Sequence, residues 1–206
     1  MQTTHFWLIR HGETAWNAEQ RLQGWRDIPL NEAGKQQAQS IRRLLEAQNI
    51  EFDAILSSDL QRAVETAQIA LEGHRSTAFI QDSQLRERNY GIYEGRPWRQ
   101  LLQLPDNPEP EINLRDPNVE VPEGETLKVF HDRIVSAFLR IAQERPKQNL
   151  AVIAHGGVID MAWRQIQKLD LATARPIRIL NASVNHFSID ENQEWHEVAW
   201  GQIDHL

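Results

Sequence analysis

Two histidines in this chain stand where an apolar run ends and a glycine follows at once. One lies in Leu8-Ile9-Arg10-His11-Gly12-Glu13-Thr14, the other in Ile153-Ala154-His155-Gly156-Gly157. In the first, an arginine adjoins the imidazole, which suits attack on a phosphate: the cation holds the anion and the neutral ring attacks phosphorus. Gly12 is expected to allow a tight turn and close approach of backbone to the phosphate. Residues Glu13 to Asn17 are expected to start a short turn or helix whose N–H groups face the site. His155 is placed to donate to the transferring phosphoryl group as it gains equatorial charge, with the Gly156 N–H joining it at a helix start. One strand-end histidine is readily structural; two with the same glycine are hard to assign to core packing.

The elements that must position these groups alternate. Apolar runs at Phe6–Ile9, Ala54–Leu56, Ala78–Ile80, Leu150–Ala154 and His186–Ile189 read as strands, with a weaker sixth at Trp195–Trp200. The unbroken apolar character of Leu150–Ala154 predicts burial on both faces, as in a parallel sheet. Gly34, Ala38, Ile41 and Leu45 line one helical face, with Leu44 beside them and Asn31 as the cap. Ser58 to Gln61 reads as a capping box opening a helix to about Leu71. Leu127, Phe130, Ile134, Ala137, Phe138 and Ile141 form another stripe, closed by Pro146, and a further helix is expected from about Val158 to Lys168. This order predicts a three-layer α/β/α sandwich with a mostly parallel central sheet, in which ligands sit at the carboxyl ends of strands.

The length of 206 residues predicts a single domain over 1–206. Six of the nine prolines (Pro97, Pro105, Pro108, Pro110, Pro117 and Pro122) fall in one segment, so about 96–124 is expected to be a lid-like excursion over the sheet. A net charge of −7 argues against a nonspecific nucleic-acid binder. No apolar run is long enough to span a bilayer, and the N-terminus lacks the regions of a signal peptide. The absence of cysteine excludes disulfides, thiolate metal sites and cysteine nucleophiles, and fits a cytoplasmic location. The apolar stripes are accounted for by the core, which leaves the oligomeric state open. His5, His74, His131, His186, His196 and His205 read as structural or solvated; Trp16, Trp25 and Trp98 lie near the motif segments.

Arg10-His11-Gly12-Glu13-Thr14 resembles the signature of the histidine phosphatase superfamily, in the branch that includes the cofactor-dependent phosphoglycerate mutases. Ser57-Ser58-Asp59-Leu60-Gln61-Arg62-Ala63-Val64-Glu65-Thr66-Ala67 resembles that family's second arginine motif. Alone, Arg62 reads as a solvated helix arginine; the resemblance implies that it points back toward the strand ends and grips the same phosphate. Leu85-Arg86-Glu87-Arg88-Asn89-Tyr90-Gly91-Ile92-Tyr93-Glu94-Gly95 resembles the acid segment. By composition Glu87 is a loop charge; the resemblance implies that it protonates the leaving oxygen and then accepts a proton from the attacking water. The likeness runs from about Phe6 to about Ile189 and implies a phosphoglycerate mutase-like fold. It implies a two-step transfer through phosphohistidine at His11, with Arg10, Arg62 and His155 stabilising the transition state and no metal or cofactor required.

Asn17, six residues after His11, is similar to a substrate contact of the mutases, as are Gln23-Gly24 and Tyr90, although the mutases usually carry a small hydroxyl residue where Gln23 stands. The mutases also carry a lysine after the acid segment and an adjacent arginine pair further on; both are absent here. The stretch 86–126 holds five arginines (86, 88, 96, 99 and 115), no lysine and nine acids, poorly suited to a doubly phosphorylated intermediate. Pro122-Glu123-Gly124-Glu125-Thr126 instead resembles the phosphatase-like members and reads as a helix start, with Glu125 favourable at its N-terminus. The expectation is a phosphomonoesterase acting on a small phosphorylated metabolite. The alternatives are a bisphosphoglycerate-dependent phosphoglycerate mutase and, behind it, a non-catalytic phosphate binder.

Overall fold

The computed structural model describes residues 3–74, 78–101, 111–174 and 178–206. Six strands, β1 (Thr4–Arg10), β2 (Ala54–Ser57), β3 (Phe79–Gln81), β4 (Asn149–Ala154), β5 (Val184–Ile189) and β6 (Trp195–Gln202), form one sheet in the order β3-β2-β4-β1-β5-β6. Strands β3, β2, β4 and β1 pair in parallel, while β5 runs antiparallel to both β1 and β6. The sheet is therefore mostly parallel, as the sequence predicts. Strand bounds move by a residue or two; β3 covers Phe79–Gln81 rather than Ala78–Ile80.

The helices are α1 (Ala15–Ala18), α2 (Glu32–Ala47), α3 (Gln61–Ala70), α4 (Leu127–Glu144) and α5 (Gly156–Gln167). Alternation along each strand sorts the side chains between two layers. Phe6, Leu8, Leu56, Leu150 and Val152 pack against Phe130, Ile134 and Phe138 of α4 and Ile159 and Ala162 of α5. On the other face Ile9, Ile55, Ala151 and Ile153 meet Ile41 and Leu45 of α2 and Ala63 and Ala67 of α3. Phe138 is fully buried, edge-on to Phe6 at 5.3 Å and to Phe187 at 5.3 Å. Burial of one such ring contributes roughly 1.5–3 kcal/mol.

The cap expected at Asn31 forms, the helix start expected at 122–126 is capped by Thr126, and the capping box expected at Ser58 is absent. Asn31 accepts the Gly34 N–H (2.8 Å) at the start of α2, and Thr126 accepts the Val129 N–H (3.1 Å) at the start of α4. The expected capping box at Ser58–Gln61 does not form: the N-cap of α3 is Leu60, with no side-chain cap of its own. The Ser58 hydroxyl bonds instead to His155, and Asp27 reaches in to accept the Gln61 N–H (2.7 Å). A distant partner for Ser58 outcompetes the local bond.

Within the predicted excursion at 96–124, the described residues include a 3-10 turn at Trp98–Gln100 and irregular chain over 111–124; Pro105, Pro108 and Pro110 lie outside them. Tyr93, Leu101, Ile112, Leu114 and Val121 form a small core beneath it. Arg88, 2% exposed, fastens this region by donating to the carbonyls of Leu114 (2.6 Å) and Glu125 (3.0 Å). Among the described residues no helix is long and apolar enough to cross a membrane.

Candidate active site

The pairing of β1 with β4 brings the two histidines together. Arg10 stands opposite Ala154 in a parallel register, so both strands leave the sheet side by side at His11 and His155. The His11 N–H donates to the Ala154 carbonyl at 3.0 Å. The two rings lie 5.2 Å apart, tilted by 60°, and are 3% and 0% exposed. Gly12 serves a different approach from the one expected. A Cβ there would lie 2.3 Å from the Gly34 carbonyl oxygen, so the glycine lets the start of α2 close on this loop. Its N–H is taken by Thr66 Oγ1 (3.0 Å).

His11 Nδ1 lies 2.7 Å from the Gly12 carbonyl oxygen. A carbonyl only accepts, so Nδ1 carries the proton and Nε2 keeps its lone pair. Burial, then the positive charges of Arg62 and Arg10, hold the His11 imidazole well below its ordinary pKa. The ring is thus neutral and nucleophilic at physiological pH.

His155 is lowered likewise, by burial first and then by Arg62, His11, Arg10 and Arg133. Its Nε2 lies 2.8 Å from Ser58 Oγ, and its Nδ1 is buried with no hydrogen-bond partner in the chain. With the Ser58 hydroxyl donating to Nε2, Nδ1 carries the proton and is a donor for an oxygen of a ligand.

Arg62 is fully buried. Its Nη1 donates to the Arg26 carbonyl (2.9 Å) and its Nη2 to the Gly24 carbonyl (2.8 Å), while its Nε has no partner. Burial pulls its pKa down to about 10, partly opposed by Glu87, Asp27 and Glu94, and it remains charged at neutral pH. Among the described residues it forms no ion pair. Burying a cation without a paired anion costs several kcal/mol, a cost an arriving dianion offsets. The Arg10 guanidinium lies against the backbone where α5 begins: a Cβ on Gly156 would be 3.3 Å from Arg10 Nε, and Arg10 Nη1 donates to the Ile179 carbonyl (2.7 Å).

Glu87 meets the same helix start. Its Oε2 accepts the Gly157 N–H (2.9 Å) and its Oε1 the Arg88 N–H (2.8 Å). A side chain on Gly157 would collide with it, the Cβ lying 2.0 Å from Glu87 Oε1. The segment is clamped from behind. Arg133 donates to the carbonyls of Gln84 (2.7 Å), Arg86 (3.1 Å) and Glu87 (3.2 Å) and pairs with Glu125, whose Oε2 also accepts the Asn89 N–H (2.9 Å). Glu125 does more than favour a helix start: it ties α4 to the segment bearing Glu87. The Trp25 indole N–H closes the other side, donating to the Glu87 carbonyl (2.8 Å).

His11, His155, Arg10, Arg62 and Glu87 therefore converge around the first turn of α5. The remaining candidates lie at varied distance from that point. Asn17 Oδ1 accepts from the Thr14 N–H (3.1 Å) and hydroxyl (3.1 Å), and among the described residues its Nδ2 makes no bond. Gln23 is 6% exposed with an unpartnered side-chain oxygen. Gly24, at φ +55°, holds Arg62 by its carbonyl and admits Glu94 where a Cβ would lie 2.0 Å from Oε1. Tyr90 packs against the small core with Arg88 over its ring at 5.5 Å. Gly156 opens α5.

The short helix expected over Glu13 to Asn17 forms, but three of its N–H groups do not point to a ligand. Their helix, α1, has four residues, and the N–H groups of Glu13, Thr14 and Asn17 are taken by Gln37, Asn17 and Thr14. A capping box closed on itself leaves those donors none to offer a phosphate. Sequence reasoning missed Ser58, Thr66, Arg133 and Asn181, whose Nδ2 donates to the carbonyls of His11 (3.1 Å) and Gly12 (3.2 Å). The signal for Asn181 was its place just before a strand that runs against its neighbours.

Residues 6–203 match the sequence model of the histidine phosphatase superfamily (branch 1). Phosphoglycerate mutase-like protein 4 of Arabidopsis thaliana is 36% identical over 202 residues, covering 97% of this chain and 85% of that protein. The metal-independent phosphoserine phosphatase of the same plant is 31% identical over 206 residues, covering 100% and 84%. Among solved structures, YhfR of Bacillus stearothermophilus is similar with a TM-score of 0.81 at 30% identity, over 98% of each chain.

Proposed function

The chain belongs to the histidine phosphatase superfamily, branch 1, and we infer that it is a phosphomonoesterase that hydrolyses a small phosphorylated metabolite through a phosphohistidine. The observation that carries this reading is a buried, unpaired Arg62 beside two buried neutral histidines, one with its lone pair free at Nε2 and the other with an unpartnered Nδ1. A tetrahedral anion between them would meet the unpartnered Arg62 Nε and His155 Nδ1. We read residues 1–206 as one domain with this one site, located in the cytoplasm, where a chain without cysteine is at home.

In the proposed first step His11 Nε2 attacks phosphorus and the bond from phosphorus to the alcohol oxygen breaks. Glu87 supplies the proton to that oxygen. Arg10, Arg62 and the His155 Nδ1–H receive the charge that gathers on the equatorial oxygens, and because they are held beforehand little reorganisation accompanies the transfer. In the second step Glu87 takes a proton from water, the water oxygen attacks phosphorus, and the bond to His11 breaks to release phosphate. The Asn17 NH2, without a partner among the described residues, and the buried Gln23 oxygen are the proposed contacts for the rest of the substrate, with Gly24, Tyr90 and Gly156 shaping the pocket.

The names of the relatives divide between phosphatases and mutase-like proteins. The arginines on the wall near Glu87 favour a phosphatase. Arg86 is bound to Asp59 (2.6 Å), Arg88 to backbone carbonyls and Arg96 to Glu111 (2.7 Å). They are committed within the protein rather than held for a second phosphate. Phosphate release from a panel of phosphorylated metabolites tests the reading. Steady turnover of a simple monoester supports it. Interconversion of phosphoglycerate isomers that depends on a bisphosphate primer selects the mutase, and binding without turnover selects the non-catalytic alternative.

A further inference from the structure

The carbonyl that holds His11 is itself held from another part of the chain. Asn181 lies in the turn into β5, and its Nδ2 faces the His11 carbonyl (3.1 Å), the Gly12 carbonyl (3.2 Å) and Asn17 Oδ1 (3.1 Å). The identity of that terminal atom is fixed by its partners. Two are backbone oxygens, and the third is known to be an oxygen because it accepts the Thr14 backbone N–H. Three acceptors require the NH2 end of the amide.

We propose that Asn181 is a positioning residue for phosphoryl transfer: it fixes the Gly12 carbonyl that keeps the proton on His11 Nδ1, and it joins that carbonyl to Asn17 at the substrate side. The proposal rests on the reading of His11 as the nucleophile. A neutral imidazole has two tautomers, and only the one protonated at Nδ1 presents a lone pair at Nε2. In this site the choice falls to a single acceptor, the Gly12 oxygen. That oxygen belongs to a loop peptide between β1 and α1, and among the described residues Asn181 is the side chain outside the loop that donates to it. The same amide bond to Asn17 Oδ1 turns the Asn17 NH2 away from the loop, so one side chain sets both the attacking atom and a proposed substrate contact.

The turn that carries Asn181 is built at a cost. Ser183 N–H closes it on the Leu180 carbonyl (3.2 Å), and Ala182 sits at φ +60°, fully buried. That conformation is unfavourable for a residue with a Cβ. The Ala182 N–H reaches the His11 carbonyl at 3.3 Å. A strained turn retained against the nucleophile loop fits a device for aiming a side chain.

The test uses the full chain with p-nitrophenyl phosphate as substrate, together with nitrogen-15 NMR of the histidine rings. Wild-type His11 is expected to be protonated at Nδ1 alone; protonation at Nε2 overturns the proposal whether or not any variant folds. Asn181→Ala is expected to lower kcat about tenfold or more, with KM changed by less than about threefold because the guanidinium groups stay in place. Its His11 spectrum should show both tautomers. Asn181→Asp brings a negative charge to the loop and should move the acid limb of the pH–rate profile upward. A folded Asn181→Ala with kcat within about twofold of wild type, or with His11 still solely the Nδ1–H tautomer, overturns the proposal. Absence of turnover and of phosphohistidine in the wild type would instead sink the functional reading.

Discussion

Acidification should destabilise this protein through its own active site. His11 and His155 are both buried and both held well below the usual imidazole pKa, by desolvation first and by the neighbouring arginines second. The unfolded chain has no such environment, so its histidines take up protons below about pH 6.5 while the folded ones do not. The sign follows: the contribution is fully present above pH 6.5 and is lost as pH falls below it, because the unfolded state then binds more protons. Between about pH 7.5 and 5.0 each histidine that stays neutral in the fold costs about 2 kcal/mol, and the two together about 4 kcal/mol. That is a large part of the 5–15 kcal/mol typical of a domain. The assay is denaturant unfolding at both pH values in a phosphate-free buffer, on the wild type and on His155→Gln. The variant should lose about 2 kcal/mol less stability than the wild type over the same interval. His186, lowered to about 4 by burial and by His5, contributes equally to both proteins and cancels in the comparison. A wild-type loss under about 1 kcal/mol, or an equal loss in the variant, refutes the reasoning.

Glu87→Gln should leave p-nitrophenyl phosphate hydrolysis only mildly reduced, since that leaving group needs little proton assistance, and lower alkyl phosphate hydrolysis by about 10²–10⁴; equal losses on both substrates remove Glu87 from the acid role. Gly157→Ala places a Cβ 2.0 Å from Glu87 Oε1, so it should displace the carboxylate and reproduce that leaving-group signature in steady-state kinetics; wild-type behaviour contradicts the packing described. Ser58→Ala strips the partner from His155 Nε2 and should cost about 1–3 kcal/mol of stability, with a fall in kcat and little change in KM; unchanged kcat means that the Ser58 bond does not set the His155 tautomer.

Much of the fold was legible because its signals are local. The apolar run at Leu150–Ala154 is buried on both faces because strands flank it on both edges and helices cover both sides. The helix stripes at Gly34–Leu45 and Phe130–Ile141 point to the two layers they fill. His11 and His155 were recognisable because a parallel register turns two similar sequence endings into neighbours. Ser58 departs from its expectation because Ser-x-x-Gln is a local pattern, whereas the bond it makes spans 97 positions. Asn181 escaped for a topological reason. Parallel strands place ligand groups at their ends, but β5 runs antiparallel, so its beginning lies at the edge where the parallel strands finish. The helix-start pattern at Glu13 to Asn17 points its donors to a phosphate, and only the tertiary contacts with Gln37 and Asn181 show where the loop's polar groups go.

Trapping the covalent intermediate tests the nucleophile directly. The enzyme is mixed with a phosphomonoester, quenched in base to preserve phosphohistidine, and digested for peptide mass spectrometry. The phosphoryl group should be found on the peptide carrying His11, at Nε2, and should vanish together with turnover in His11→Ala. Phosphate on any other side chain, or undiminished hydrolysis by His11→Ala, contradicts the account.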